Sequence, residues 1–150
     1  MTDSAPSRRA GFDWLMAAAA VAMAAALVRA IYFTPAERLQ GLAQKIFYVH
    51  VPSAWVAFLA FGLTAVAGAT WLFIKDARLD RFAESSAEVG VIFTTGVLVS
   101  GPLWGKPIWG TWWVWDARLT STLFLWFLFL GYLVLRSAVD DREARARYSA

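Results

Sequence analysis

The residues with the most evident chemical potential are one histidine and a cluster of tryptophans. His50 is the only histidine of the chain. Five of the nine tryptophans fall within one short segment, at positions Trp104, Trp109, Trp112, Trp113 and Trp115. Imidazole can ligate a metal ion, and indole offers a wide π-face with an N–H donor at its rim. Metal ligation and stacking on a flat ligand are therefore the chemistry that these residue types offer.

Each feature also has a purely structural interpretation. Tryptophan is common at membrane–water interfaces, and this preference explains one or two indoles per helix end, as at Trp14, Trp55, Trp71 and Trp126. It explains five in one short segment poorly. A lone histidine is usually a hydrogen-bonded interfacial side chain rather than a ligand. On residue type alone both interpretations stay open.

The remaining composition excludes several classes of function. The chain has no cysteine, which excludes disulfides, cysteine-ligated zinc, iron–sulfur clusters and thiol nucleophiles. A single histidine excludes a multi-histidine metal site within the chain, and a net charge of +3 is too small to indicate nucleic-acid binding. No paired carboxylates, nucleophile–base pair or phosphate-binding loop can be assigned, so we do not expect a freestanding enzyme.

Membrane-spanning helices must position these residues. The 150 residues are 59% hydrophobic and 17% charged, with a mean hydropathy of +0.52. Four apolar stretches approach or exceed the roughly 20 residues that cross a bilayer as a helix; they are residues 14–33, 51–74, 87–103 and 119–135. Because lipid cannot satisfy backbone polar groups, each should be helical. The sequence predicts one all-α domain over residues 1–150, an integral membrane bundle of four helices.

The basic residues in the connections predict the orientation of this bundle. Nine lie on one side: Arg8, Arg9, Lys75, Arg78, Arg81, Arg136, Arg142, Arg145 and Arg147. The other side has Arg38, Lys45, Lys106 and Arg118, with Arg29 if it snorkels outward. We expect cytoplasmic termini, with residues 34–50 and the tryptophan-rich loop 104–118 together on the outer face. Residues 8–30 also resemble a cleavable signal peptide, and cleavage would leave both loops outside.

Local sequence features place the histidine relative to its helix. Pro52 suits the first turn of the second helix and disfavours helix at Val51, so we expect His50 just outside that helix. Glycine and proline residues are expected to break regular structure around the tryptophans; they are Gly101, Pro102, Gly105, Pro107 and Gly110.

The loop leads into the fourth helix through an acidic residue. Asp116 suits the N-cap of that helix. Arg118 would lie in the first turn, where the helix dipole disfavours a cation, and this indicates an anionic partner: Asp116, a lipid phosphate or a ligand carboxylate. If the segment Trp113–Trp115 is extended, those two indoles share a face and Trp112 takes the other.

The predicted topology brings the histidine and the tryptophans to one face. Two crossings separate His50 from the loop, and that face also receives the positive ends of two helices together with Lys106 and Arg118. A flat aromatic platform, an imidazole and positive potential match the porphyrin, iron and propionates of haem. A quinone would also stack on indole, but it has no carboxylates for the cations. The residues therefore favour haem.

Two segments carry a family resemblance. Residues 109–121, WGTWWVWDARLTS, resemble the tryptophan-rich WWD signature of the haem-handling proteins of cytochrome c biogenesis. Residues 45–55, which include FYVHVPSAW, resemble in particular the cytochrome c maturation protein C branch, also called haem exporter protein C. The resemblance covers essentially the whole chain.

The resemblance implies haem handling at the outer (periplasmic) face of the bacterial inner membrane. His50 would be an axial ligand of the iron of a transiently bound haem b. Trp109, Trp112, Trp113, Trp115, Asp116 and Arg118 would form the haem platform. The implied partners are haem, a membrane-anchored haem chaperone (cytochrome c maturation protein E), an ABC-type ATPase/permease pair, a small single-helix subunit and membrane lipid, without nucleic acid.

The sequence departs from the family in one respect. The family has six helices and a second outer-face histidine between the fifth and sixth, whereas this sequence stops after the fourth. We therefore expect an incomplete member, in which a second histidine ligand would have to come from another chain. Two other functions stay open: a structural subunit of an ABC-type transporter complex that binds no haem, and a quinone-binding redox subunit.

Overall fold

The computed structural model describes residues 13–149, except for the side chain of Arg142. Within that range every extended regular element is helical, and four helices are long and apolar enough to cross a membrane, by length and composition. The prediction of an all-α protein with four potential spans is confirmed. The chain divides into two compact units, Met1–Pro35 and Ala36–Ala150, and each is described by itself.

The first unit contains helix α1, Trp14–Val28, followed by a π-helical turn, Arg29–Phe33. The Asp13 carboxylate accepts from the backbone N–H groups of Leu15 (3.0 Å) and Met16 (3.1 Å). Those N–H groups have no partner within a helix, and this is why the helix begins there. Together the helix and turn match the predicted span 14–33. The predicted cytoplasmic residues Arg8 and Arg9 lie outside the described residues.

The second unit contains four helices: α2 is Phe47–Ile74, α3 is Ala77–Trp109, α4 is Ala117–Ala138 and α5 is Arg142–Ser149. A 3₁₀ turn, Leu42–Ile46, leads into α2. The contact between α2 and α3 is the most extensive, α4 packs on α3, and α5 folds back against α4 and α2.

The predicted start of the second helix is wrong. The chain is helical from Phe47, and Pro52 lies inside α2. A proline in this position removes one backbone bond, the one to the Tyr48 carbonyl, and leaves the other bonds of the turn intact. The 3₁₀ turn before α2 already has helix-like backbone angles. The α-helix therefore continues directly from that turn and begins at Phe47, ahead of Pro52.

The third helix is longer than predicted at both ends. Asp76 begins it by accepting from the backbone N–H of Arg78 (2.8 Å), so the polar residues before Ala87 are helical too. At the other end Pro102 and Pro107 lie inside the helix. Of the residues expected to break regular structure, only Gly110 ends the helix. Its φ of 75° is a left-handed conformation that favours glycine.

Small side chains bring α2 and α3 close together. The small buried residues of the two helices are Ala57, Ala60, Thr64, Ala67 and Gly68 on α2, and Ala83, Ser86, Ala87, Gly90, Thr94 and Gly105 on α3. A Cβ atom at Gly90 would collide with the ring of Phe61. That ring also stacks on Phe129 of α4, with centroids 3.9 Å apart and planes inclined by 15°. One aromatic side chain thus joins the three helices that surround the candidate site.

A buried ion pair fastens the opposite end of the same helices. Arg136 of α4 is only 2% exposed. Its guanidinium donates to Asp80 (2.6 and 3.1 Å) and Glu84 (3.0 Å) of α3, and to the Ser149 hydroxyl of α5 (2.7 Å). Charge pairing with these carboxylates offsets the cost of removing the cation from water.

Candidate functional site

His50 lies in the first turn of α2, and the prediction that it falls outside the helix is therefore wrong. Its imidazole is partly buried and faces α3. Nδ1 of the ring is 2.8 Å from Oγ of Ser100. A Cβ atom at Gly101 would lie 3.3 Å from Cε1 of the ring, so the glycine permits this close approach of the α3 backbone. The helix start fixes the imidazole against α3 rather than leaving it on a loop.

Trp104 holds the other side of the imidazole. The two rings meet edge to face, with centroids 5.6 Å apart. Phe47 also contacts the indole in a T-shaped arrangement, with centroids 6.0 Å apart. The indole Nε1 donates to Oε1 of Gln40 (3.0 Å), which lies in the connection before α2. This bond shows that the segments 34–50 and 104–118 lie together, as predicted, and the side of the membrane that they face stays a prediction.

Glu37 shapes the connection that carries Gln40. Its carboxylate accepts from the backbone N–H groups of Gln40 (2.7 Å) and Leu39 (2.8 Å). These bonds lower the pKa of the Glu37 carboxyl below its ordinary value because they stabilise the charged form, and the bond from Gln40 has the largest effect. The ionised carboxylate therefore favours the turn that presents Gln40 to Trp104.

Two cavities of about 130 Å³ each flank His50 between α2, α3 and α4. The first is also lined by Trp104, Trp109 and Arg118. The second continues along α2 toward Phe61. Apart from one imidazole, one guanidinium and a few hydroxyl and backbone groups, both linings are apolar. Apolar walls with a few polar groups are typical of small-molecule sites.

The loop between α3 and α4 is held by local hydrogen bonds. Lys106 donates to the Gly110 carbonyl (2.8 Å), and the Thr111 hydroxyl donates to the Trp113 carbonyl (3.1 Å). The indoles of Trp113 and Trp115 contact each other in a T-shaped arrangement, with centroids 5.7 Å apart. This contact agrees with the predicted shared face of the two side chains.

Asp116 is the N-cap of α4, as predicted. Its carboxylate accepts from the backbone N–H of Leu119 (2.7 Å). It also pairs with Arg118 at 3.4 Å, which makes Asp116 one anionic partner of that cation. The Arg118 guanidinium lies 5.7 Å from the ring centroid of Trp109. Arg118 thus joins the loop to the wall of both cavities.

The structure brings together only part of the predicted site. His50, Trp109 and Arg118 line one cavity. Trp112, Trp113, Trp115 and Asp116 lie in the adjoining loop and do not line it. Trp109, Trp112 and Trp115 each expose more than half of their surface. In residues 13–149 the buried Nε1 of Trp113 has no hydrogen-bond partner.

Sequence reasoning missed the side chains that hold the imidazole. Ser100 and Gly101 lie on α3, fifty residues from His50, and carry no motif that marks such a contact. The sequence places Trp104 in one cluster with the other tryptophans, although it is the one whose ring meets His50. Its spacing from Ser100, one helical turn, places both on one face once helix is assumed. The predicted break at Gly101 and Pro102 concealed that spacing.

Comparison with known proteins identifies the family. Residues 5–150 match the family model described as "Heme exporter protein C". The chain belongs to the heme exporter protein C family. The resemblance inferred from the WWD segment and the segment around His50 is thereby confirmed.

Individual members of the heme exporter protein C family show how much of the protein is covered. "Heme exporter protein C" of Bradyrhizobium diazoefficiens is 39% identical over 91% of this chain and 52% of its own length. That of Haemophilus influenzae is 45% identical over 85% of this chain and 52% of its own length. A "cytochrome c biosynthesis ccmC-like mitochondrial protein" of Marchantia polymorpha is 42% identical over 82% of this chain and 51% of its own length. The chain spans about half the length of the curated relatives it matches.

Proposed function

We propose that this chain binds haem beside His50 and acts in haem transport during cytochrome c maturation. The observation that carries the proposal is a shared cavity: His50, Trp104, Trp109 and Arg118 line the same apolar space. The names of the relatives support haem as the ligand and cytochrome c biosynthesis as its destination. Haem is then the cargo of the protein, held transiently and without a covalent bond.

Each group has a role in holding this cargo. His50 would supply an imidazole nitrogen to the iron, since histidine is a frequent protein ligand of haem. Arg118 would pair with a propionate, because a guanidinium matches a carboxylate in charge and shape. Asp116 positions this cation from the start of α4.

The exposed indoles extend the site beyond the cavity. A cavity of about 130 Å³ is smaller than the roughly 300–1,000 Å³ of typical ligand pockets. A ligand as large as haem must therefore also rest on the surface beside it. Trp109, Trp112 and Trp115 present the exposed π-faces there. An open platform suits a protein that must release its ligand to a partner.

Titration with haem tests this assignment directly. The purified full chain in detergent should give a Soret band with haem, and His50→Gly should weaken or shift that band. Added imidazole should restore the band in His50→Gly, because free imidazole can occupy the vacated space. Trp109→Ala should weaken haem binding, whereas Trp55→Ala is the matched control, since Trp55 is exposed on α2 and lines neither cavity.

Three outcomes would contradict the assignment. An unchanged haem spectrum in His50→Gly would remove His50 as the ligand. Haem-free protein with stoichiometric quinone would favour a quinone-binding redox subunit. Loss of partner co-purification in Trp113→Ala, with no haem bound by the intact chain or by the variant, would favour a structural subunit of a transporter complex.

We further propose that the His50 end of the bundle faces the periplasm of a bacterial inner membrane. The supporting observation is the distribution of basic residues between the two ends. Because the chain has no cysteine, single substitutions can report the orientation. Val114→Cys should react with a membrane-impermeant maleimide in intact spheroplasts, and Asp140→Cys, beyond the other end of α4, should react only after lysis. The reverse pattern would overturn the proposal.

The partners follow from the family resemblance and stay proposals. We infer that the chain passes haem to a membrane-anchored haem chaperone and works beside an ABC-type ATPase/permease pair and a small single-helix subunit. The test is co-purification from a bacterium that expresses all of these components. Haem should appear covalently on the chaperone with the intact chain and be reduced with His50→Gly. Equal haem loading with both would contradict this role.

A further inference from the structure

The hydroxyl of Ser100 lies between two groups on different helices. Its Oγ is 2.6 Å from the carbonyl oxygen of Gly96 and 2.8 Å from Nδ1 of His50. A carbonyl oxygen can only accept, and a serine hydroxyl has only one hydrogen to donate. That hydrogen is therefore directed to Gly96, and a lone pair of Oγ faces the imidazole. Nδ1 of His50 must then be the donor.

This pattern determines which imidazole nitrogen is free. A neutral imidazole carries its hydrogen on one nitrogen only, so Nδ1–H leaves Nε2 with a lone pair. No group among residues 13–149 hydrogen-bonds to Nε2. We propose that Ser100 is a positioning residue that holds His50 as the Nδ1–H tautomer and presents Nε2 to the haem iron. The presentation of Nε2 to the iron rests on the proposed function, whereas the assignment of the tautomer does not.

Three neighbours on one turn of α3 restrict the ring. Ser100 holds Nδ1, the Gly101 backbone lies against Cε1, and Trp104 contacts the ring from the side. Rotation of the imidazole would break the hydrogen bond or collide with one of the other two. The contacts therefore fix the direction of the Nε2 lone pair before any ligand arrives, which lowers the entropy cost of binding.

The hydrogen bond also changes the electronic character of the ligand. An N–H that donates to an oxygen makes the opposite nitrogen more basic, as is usual for metal-bound histidine. A more basic imidazole stabilises ferric more than ferrous iron. Loss of the Ser100 oxygen should therefore raise the reduction potential of the bound haem and weaken the bond between iron and histidine.

The first measurement needs no haem. Because His50 is the only histidine of the chain, nitrogen NMR of histidine-labelled protein reports a single ring. At about pH 9, well above the ordinary imidazole pKa of about 6.5, the intact chain should show a protonated Nδ1 and an unprotonated Nε2. Ser100→Ala should give a mixture of tautomers, and Ser100→Thr should restore the original pattern. A protonated Nε2 in the intact chain would overturn the tautomer assignment whether or not haem binds.

The second measurement uses the haem-loaded chain. Ser100→Ala should weaken haem binding about tenfold, at the lower end of the effect of losing such a partner. It should also raise the midpoint potential and lower the iron–histidine stretching frequency, and Ser100→Thr should reverse all three changes. The matched control is Ser53→Ala, because Ser53 donates to a backbone carbonyl of α2 in the same way but does not contact His50. Unchanged potential and stretching frequency in Ser100→Ala would overturn the positioning role. Haem binding that does not change in His50→Gly would overturn the proposed function alone.

Discussion

The imidazole of His50 meets the indole of Trp104 at 5.6 Å between centroids, with an interplanar angle of 66°. The same indole donates to Gln40 at 3.0 Å. Trp104 therefore connects the candidate iron ligand to the segment that precedes α2. Gln40, from the connection before α2, and His50, from the first turn of α2, are thus held by one residue of α3.

Trp104→Phe should weaken haem binding by up to about fivefold, the value of one ordinary hydrogen bond of about 1 kcal/mol. Phenylalanine keeps an aromatic ring beside His50 but cannot donate to Gln40. Gln40→Ala should have a similar effect, and the double variant should be no worse than either single variant, because both remove the same bond. Haem titration measures this effect, with Trp55→Phe as the control. Fully additive losses would show that the two residues act separately.

Acid should loosen the connection at Glu37. A carboxylate whose pKa is lowered in the folded protein stabilises the fold above its unfolded pKa, and that contribution is lost as the pH falls through the folded pKa. Below that folded pKa, the indole N–H resonance of Trp104 should shift as its bond to Gln40 weakens. Glu37→Gln should remove this pH dependence in a tryptophan-labelled NMR titration. A shift of the same size and midpoint in Glu37→Gln would assign it to another group.

Gly101→Ala should displace the imidazole. The added Cβ would lie 3.3 Å from Cε1 of His50, closer than the ring can accommodate without moving. Overpacking costs about 1–3 kcal/mol, so haem should bind at least about fivefold more weakly. Gly96→Ala is the matched control, since a Cβ there meets nothing within 4 Å. Equal affinities in the two variants would show that the ring tolerates the methyl group.

Asp116→Ala should destabilise the protein by about 1 kcal/mol through loss of the α4 cap. Asp116→Asn should retain most of that stability, because asparagine caps about as well as aspartate. Haem binding should change by less than about twofold in Asp116→Asn, because the pair with Arg118 is exposed and an exposed pair of this kind contributes little. Unfolding in detergent measures the effect on stability, and haem titration measures the effect on binding. Loss of haem binding in Asp116→Asn alone would mean that the carboxylate charge itself contributes.

Arg136→Leu should destabilise the protein by about 3–5 kcal/mol, because it leaves Asp80 largely buried without its partner. Arg147→Leu is the control, since its pair with Glu143 is exposed on both sides. That variant should cost at most about 0.5 kcal/mol. Unfolding in detergent measures both values. Similar stability in the two variants would show that the pair of Arg136 with Asp80 contributes little.

The spans were predictable because membrane insertion depends on length and apolar composition, both of which are local properties. The helix ends were not. Pro52 and Pro102 each remove one backbone hydrogen bond, and whether the helix continues past them depends on the conformation of the neighbouring turns and not on residue type alone. The N-cap at Asp116 was predictable because its partner, Leu119, lies only three residues away.

By itself the sequence determined the four potential spans, the Asp116 cap, the placement of the segments 34–50 and 104–118 at one end, and the family. These depend on composition, local spacing or quoted motifs. Only the tertiary structure decided that His50 lies within α2 and that Ser100, Gly101 and Trp104 hold its ring. It also separated Trp109 and Arg118, which line the cavity, from the loop residues beside it. Such contacts join residues fifty or more positions apart, and they form only when α2, α3 and α4 pack.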